Sequence, residues 1–220
     1  MFRHSLIAVF LALGLVSLDI SIAQADEWED VGDIDGVQVQ RKDVSGSSLV
    51  AFRGDRVVDV HIGKIMTIFT DPDERKNWVD RYDDSRTLAR TETTETYWIR
   101  FGLSFPIKDR DYVLKAELDI DEDGRVITTN INSVRDRRMR EQDCCVRAET
   151  QTYYRFEAIP GEERTRMRVE VHTDPKGRLP TALVNRIQRG WPSGTINGLS
   201  ERAAQPGVEI HPAFEDWHEE

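Results

Sequence analysis

The chain has little of what usually announces chemistry. Its 220 residues include 2 cysteines and 5 histidines. It contains no G-x-S-x-G elbow, no H-E-x-x-H, no C-x-x-C and no glycine-rich phosphate loop. Hydrolases of the elbow type, zincins, dithiol redox proteins and nucleotide-binding loops therefore find no footing, and no metal or cofactor is expected. Positive charge is also short: 30 Lys and Arg against 40 Asp and Glu leave a net charge of −10. Nucleic acid is not an expected partner, because binding it depends on neutralising phosphates. No apolar run reaches the ~20 residues that cross a bilayer.

The one pronounced apolar run, Leu6 to Val16, follows a short basic start carrying Arg3. Ala23-Gln24-Ala25 supplies a small-x-small pattern, so residues 1–25 read as a signal peptide cleaved after Ala25. The run's length and Asp19 argue against the competing reading, an uncleaved anchor. A periplasmic or secreted acidic protein is expected, and a monomer. Export places Cys144 and Cys145 where disulfides persist. They are adjacent, and a strand sends neighbours to opposite faces, which disfavours a bridge. One buried and one exposed thiol are expected, with a strained vicinal disulfide as the alternative.

What remains, residues 26–205, is rich in period-two patterning. Strands are predicted at Val37 to Arg41, at Leu49 to Val58 and around Tyr97, Ile99, Phe101 and Leu103. Tyr112, Leu114, Ala116 and Leu118 share one strand face, and Asp123-Gly124 predicts a type I′ hairpin into Ile127, Thr129 and Ile131. From Cys144 to Ala158 the even positions are apolar or Thr and the odd ones mainly charged, which reads as one long strand with a wet face. Its return places Met167, Val169 and Val171 inside.

Helical spacing occurs at Ile62, Ile65, Met66 and Phe69, and a second short helix around Glu74 to Val79 would bury Trp78. Leu183, Ile187 and Trp191 form a later stripe opened by Pro180, and Pro192 should kink or break it before Ile196, Leu199 and Ala203. Residues 206–220 read as an acidic, flexible tail. Its His211, Glu215, Asp216 and His218 form at most a weak metal set, and a solvated tail is the expectation. The fold class is α+β: a curved antiparallel sheet wrapped around a long C-terminal helix, a geometry that leaves an apolar cavity between them.

The order of motifs resembles START, the StAR-related lipid-transfer domain family. Trp28, Asp35-Gly36-Val37, Arg41-Lys42 and Phe52-Arg53-Gly54 look like its beginning. Asp71 to Trp78 (DPDERKNW) is similar to its helix before the ligand-facing strands, and Pro106 to Val113 (PIKDRDYV) to its proline and arginine-aspartate strand entry. Leu179 to Asn185 (LPTALVN), Gly190-Trp191-Pro192 and Leu199 look like its C-terminal lid helix. The likeness spans roughly residues 27 to 205. It implies a helix-grip fold, one hydrophobic ligand such as a phospholipid or sterol, no cofactor and no catalytic set. Some sterol-handling members carry a charged pair inside the tunnel. The matching strand positions here, around Tyr97 and Ala116, lack it, so the lipid stays open.

On this reading the cavity wall comprises Tyr97, Ile99, Phe101, Leu114, Tyr154, Phe156, Met167, Val169, Leu183, Ile187 and Trp191. The bland reading of the same residues is a solid core. Arg110 is a candidate anchor for a lipid headgroup, against a structural ion pair among Asp109, Arg110 and Asp111, which is the favoured reading. Lys176, Arg178, Arg186 and Arg189 make a basic stretch suited to transient docking on an anionic membrane, against a simply solvated surface. A polyketide cyclase or aromatic-ring-modifying enzyme of the same superfamily is the alternative function. An interaction module whose pocket is filled by Trp191, Phe156 and Tyr154 is a third.

Overall fold

The computed structural model describes residues 27–219, so the predicted leader and its cleavage after Ala25 lie outside the described residues. The strands are β1 (Glu29–Ile34), β2 (Val37–Lys42), β3 (Ala51–Val58), β4 (Tyr82–Arg90), β5 (Thr94–Phe101), β6 (Asp109–Asp121), β7 (Val126–Ser133), β8 (Cys145–Arg147), β9 (Glu149–Ala158) and β10 (Thr165–Asp174). The helices are α1 (Ile62–Thr70), α2 (Arg75–Trp78), α3 (Thr181–Gln188) and α4 (Trp191–Ala203). The strands form a sheet in the order β1-β2-β3-β10-β9-β7-β6-β5-β4, with β8 added parallel to β6. Among the described residues no helix is long and apolar enough to cross a membrane.

Period-two patterning places the concave face as expected. Ile127, Tyr154, Phe156, Met167, Val169 and Val171 are all buried. Helix α4 lies in the curve, with Ile196, Leu199 and Ala203 fully buried. The grip is close because glycine stands at both contacts. A Cβ on Gly54 of β3 would meet the Pro192 Cβ at 2.8 Å, and one on Gly198 of α4 would meet the Trp78 carbonyl oxygen at 2.5 Å. Arg202 of α4 holds Glu74 through both carboxylate oxygens, at 2.7 and 2.9 Å.

Several sequence expectations are corrected. The hairpin dipeptide that does take positive φ at both positions is Asp35-Gly36, between β1 and β2. At Asp123-Gly124 the turn is longer and the positive φ falls on Arg125. The long strand from Cys144 is broken at Ala148, whose N–H bonds the Asp111 carbonyl, leaving β8 on β6 and β9 on β7. Strands β1 and β4 were not foreseen, because their alternation is diluted by charged residues. Of the two outcomes expected at Pro192, a kink or a break, the structure shows the break: Pro192 sits in the first turn of a new helix, where its missing N–H costs nothing. Cys144 and Cys145 are bonded to each other, so the two-thiol expectation fails. The pair stands where the chain enters β8 from a turn, so the strand alternation that argued against the bond does not apply.

The tail is not solvated. Val208, Phe214 and His218 are buried, and Pro212–Phe214 forms a single tight helical turn against α1. His218 Nε2 accepts from the Ile62 N–H at 3.0 Å, while its Nδ1 lies 2.6 Å from the Glu162 carbonyl oxygen. His211 Nδ1 caps the tight turn, so the two histidines considered for a metal serve separate contacts, and among the described residues no group of three or more His, Cys, Asp or Glu is placed to hold a metal ion. Beside His218, His61 caps α1 by accepting the Gly63 N–H at 3.0 Å. Burial, then the neighbouring His218, lowers the His61 pKa.

A folded-state pKa below the unfolded value means that stability is complete at neutral pH. It falls as pH drops below the unfolded value of ~6.5, where the unfolded chain takes up the proton first. Urea titrations at successive pH values should therefore show declining stability below about 6.5. The decline should be shallower in His61→Asn, which keeps a capping oxygen without a titrating ring. Parallel declines in both proteins would remove His61 from the account.

Candidate functional site

The sheet and helices enclose a cavity of about 400 Å³, within the range of ligand sites. Strands β5, β6, β7, β9 and β10 supply one wall, and α2, α3 and α4 the other. On β6 the even residues from Arg110 to Leu118 all face it, as the period of a strand requires.

Seven of the eleven predicted wall residues line the cavity: Tyr97, Ile99, Phe101, Leu114, Tyr154, Ile187 and Trp191. Four do not. Phe156, Met167 and Val169 are fully buried in the solid core; Phe156, for example, packs against Phe69 of α1 with ring centroids 5.1 Å apart. Period two selects the inward face but says nothing of how far along the strand the cavity extends. Leu183 is missing because α3 is rotated by one residue from the expected stripe. Val184 and Gln188 are buried on the inward side and Leu183 is 38% exposed, while Ile187, 42% exposed, borders the cavity at its edge.

Arg110 lines the cavity and is 5% exposed. Its guanidinium donates to the carbonyls of Pro175 (2.8 Å), Lys176 (3.3 Å) and Lys108. Burial lowers its pKa, Tyr112 and Asp109 opposing. The favoured ion pair with Asp109 or Asp111 is not made: Arg110 is tied to backbone carbonyls instead. The ion pair belongs to Asp111, which holds Arg147 at 2.8 Å on the convex face. In the basic stretch, Lys176 is neutralised by Glu149 (2.7 Å) and Asp174 (2.8 Å), so it drops out. Arg178, Arg186 and Arg189 are exposed.

A charged pair does stand in the cavity wall, contrary to the sequence reading. Arg75 of α2 meets Glu95 of β5 at 2.5 Å, and its guanidinium carbon lies 4.0 Å from the centre of the Tyr97 ring. Glu95 faces Ala116 in the ladder, but its partner arrives from a helix and not from the neighbouring strand. Glu95 shares the odd parity of Tyr97, Ile99 and Phe101, and that signal was present in the sequence. Thr129, Ile131, Thr152, Val171 and Gln188 are further wall residues left out of the predicted set. Burial pushes the Tyr97 hydroxyl up to about 12, against the pull of Arg75. Burial raises Tyr112 and Tyr154 as well. All three phenols are neutral at physiological pH.

No family model matches the chain. A curated relative, an uncharacterised protein of Pseudomonas aeruginosa, is 24% identical over 189 residues, which cover 82% of this chain and 89% of the relative. Among solved structures, a STAR-related lipid transfer protein fragment of Xanthomonas axonopodis superposes with a TM-score of 0.73 at 23% identity, covering 82% of this chain and 100% of that one. Human STARD10 gives 0.74 at 20% identity, covering 86% and 79%. Human StAR-related lipid transfer protein 5 gives 0.73 at 19% identity, covering 84% and 88%. The large antiparallel sheet and the C-terminal helix it grips thus match the START helix-grip fold, and this chain is built on it.

Proposed function

We propose that the protein takes one hydrophobic ligand, a phospholipid, sterol or related lipid, into this cavity and shields it from water. The observation that supports this reading is the cavity itself, walled by Ile99, Leu114, Ile131 and Val171 from the sheet and Trp191 from α4. Proteins named for lipid transfer share the fold. Burying ~300 Å² of apolar ligand surface at ~25 cal/mol per Å² yields about 7 kcal/mol before the costs of association.

The protein is proposed as a carrier or sensor, not an enzyme. Acid–base chemistry needs an available group at the ligand. Glu95 is occupied by Arg75 and by the Thr87 hydroxyl at 2.7 Å, and the other wall carboxylates, Asp80 and Glu92, are exposed at the rim.

Native mass spectrometry of the mature protein from its own periplasm tests the reading. A stoichiometric adduct that extracts as a lipid is the expected result, on a monomer whose mass starts after Ala25. A mass that stays unliganded after incubation with mixed membrane lipids sinks it.

Loading requires contact with a bilayer, and α3 is the proposed docking face. It exposes Leu183 and Ile187 beside Arg178, Arg186 and Arg189, on a chain of net charge −10. Each well-placed cation contributes about 1 kcal/mol on an anionic surface. The double variant Arg178→Gln/Arg186→Gln should bind phosphatidylserine vesicles on the order of 30-fold more weakly at low salt. Equal sedimentation of both proteins with the vesicles would remove the basic face from the proposal.

A further inference from the structure

Among the described residues, four buried side-chain polar atoms lack a hydrogen-bond partner in the protein: Arg75 Nη1, Trp78 Nε1, Thr129 Oγ1 and Gln188 Oε1. All four residues line the cavity. Elsewhere among the described residues, buried side-chain nitrogen and oxygen atoms have partners, as folded proteins require. Concentration of the exceptions around one cavity is what a site for polar ligand groups looks like.

The four atoms fall into two places. Arg75 and Trp78 stand together on α2, and Arg75 is tied to Glu95. Glu95 faces Ala116, Ala116 faces Ile131, and Thr129 is the next inward residue on β7. These form one end. Gln188 is held at the other by donating its Nε2 to the Thr173 carbonyl at 2.7 Å, which fixes Oε1 as the unused acceptor. Thr173 faces Thr150 on β9, whereas Thr129 faces Tyr154 on the same strand. The two ends are therefore about four strand residues apart, roughly 13 Å at ~3.3 Å per residue. Between them the wall carries the apolar Leu114, Ile131 and Val171, with Thr152 among them and the Thr150 hydroxyl already bonded to that of Thr173 at 2.7 Å.

We infer that the ligand is an amphiphile with a neutral oxygen function at both ends of an apolar body, not a lipid with one polar head. The α2 end offers two donors and a hydroxyl, so it takes an acceptor oxygen. The Gln188 end offers an acceptor, so it takes a hydroxyl donor. Neutrality follows from pairing: Arg75 already carries Glu95, and a charged group beside that pair would leave one charge uncompensated. The inference rests on the lipid-cavity reading and narrows it to a ligand class.

Dodecanol and its α,ω-diol are the probes, titrated into the mature chain by calorimetry or by the fluorescence of Trp78 and Trp191, which line the cavity. In a cavity without polar ends, the second hydroxyl weakens binding by about tenfold or more, because it leaves water unpaired. Here the diol should bind about tenfold more tightly than the alcohol. Thr129→Val, nearly isosteric, and Gln188→Met should each shrink that preference, with the fold checked by circular dichroism. Diol binding equal to or weaker than that of dodecanol overturns the two-ended site while leaving the lipid cavity standing. A diol preference untouched by both variants also overturns it. Binding of neither probe overturns the cavity reading, and this inference with it.

Discussion

Ala116→Trp should reduce ligand affinity by about 100-fold while the protein stays folded. Ala116 lies on the inward face of β6, between Glu95 of β5 and Ile131 of β7, and lines the cavity. An indole there occupies volume meant for the ligand. Displacing ~120 Å² of ligand contact at ~25 cal/mol per Å² forfeits about 3 kcal/mol. The added ring enters space that is not packed core, so stability should change by no more than about 1 kcal/mol. Phe156→Ala is the matched opposite. Phe156 also faces inward but is fully buried under α1, and its loss should cost about 3–5 kcal/mol. Native mass spectra read the first effect and urea denaturation the second. Retention of a full lipid complement by Ala116→Trp would place the ligand elsewhere.

Asp111→Ala should destabilise the protein by about 3–5 kcal/mol, the range for breaking a buried ion pair. Asp111 is 1% exposed. Its carboxylate accepts from Trp98 Nε1 at 2.8 Å and from Arg147 at 2.8 and 3.1 Å. Removing it strands the Arg147 guanidinium and a buried indole N–H together. This cluster lies on the convex side, where the sequence pattern predicts a wet face. There Trp98 and Val113 are buried at 3% and 1%, with the Arg100 guanidinium carbon 5.7 Å from the centre of the Trp98 ring. By contrast, Arg138→Ala breaks an exposed pair with Asp136 and should cost less than about 1 kcal/mol. Similar denaturation midpoints for the two variants would show that the Asp111 cluster contributes no more than a surface pair.

Strand periodicity alone determined the inward face of β5, β6, β9 and β10, because side chains alternate strictly and one side must be apolar. It also located α1 and the break before α4, where proline leaves the backbone few choices. Tertiary structure decided everything that depends on depth or on distant partners. Whether an inward residue is wall or core depends on where α1 and α4 press on the sheet. Tyr154 lines the cavity and Phe156, two residues along the same face, does not, although Phe69 of α1 packs on both with ring centroids 5.0 and 5.1 Å away. On α3 the inward Gln188 donates to the Thr173 carbonyl at 2.7 Å, a bond that apolar spacing does not encode. The folded tail depends on His218 meeting the start of α1 across 156 positions of chain, and the cavity's charged pair on a helix arriving over β5. Periodicity is a property of neighbouring residues, and a cavity is a property of elements that fail to close on one another.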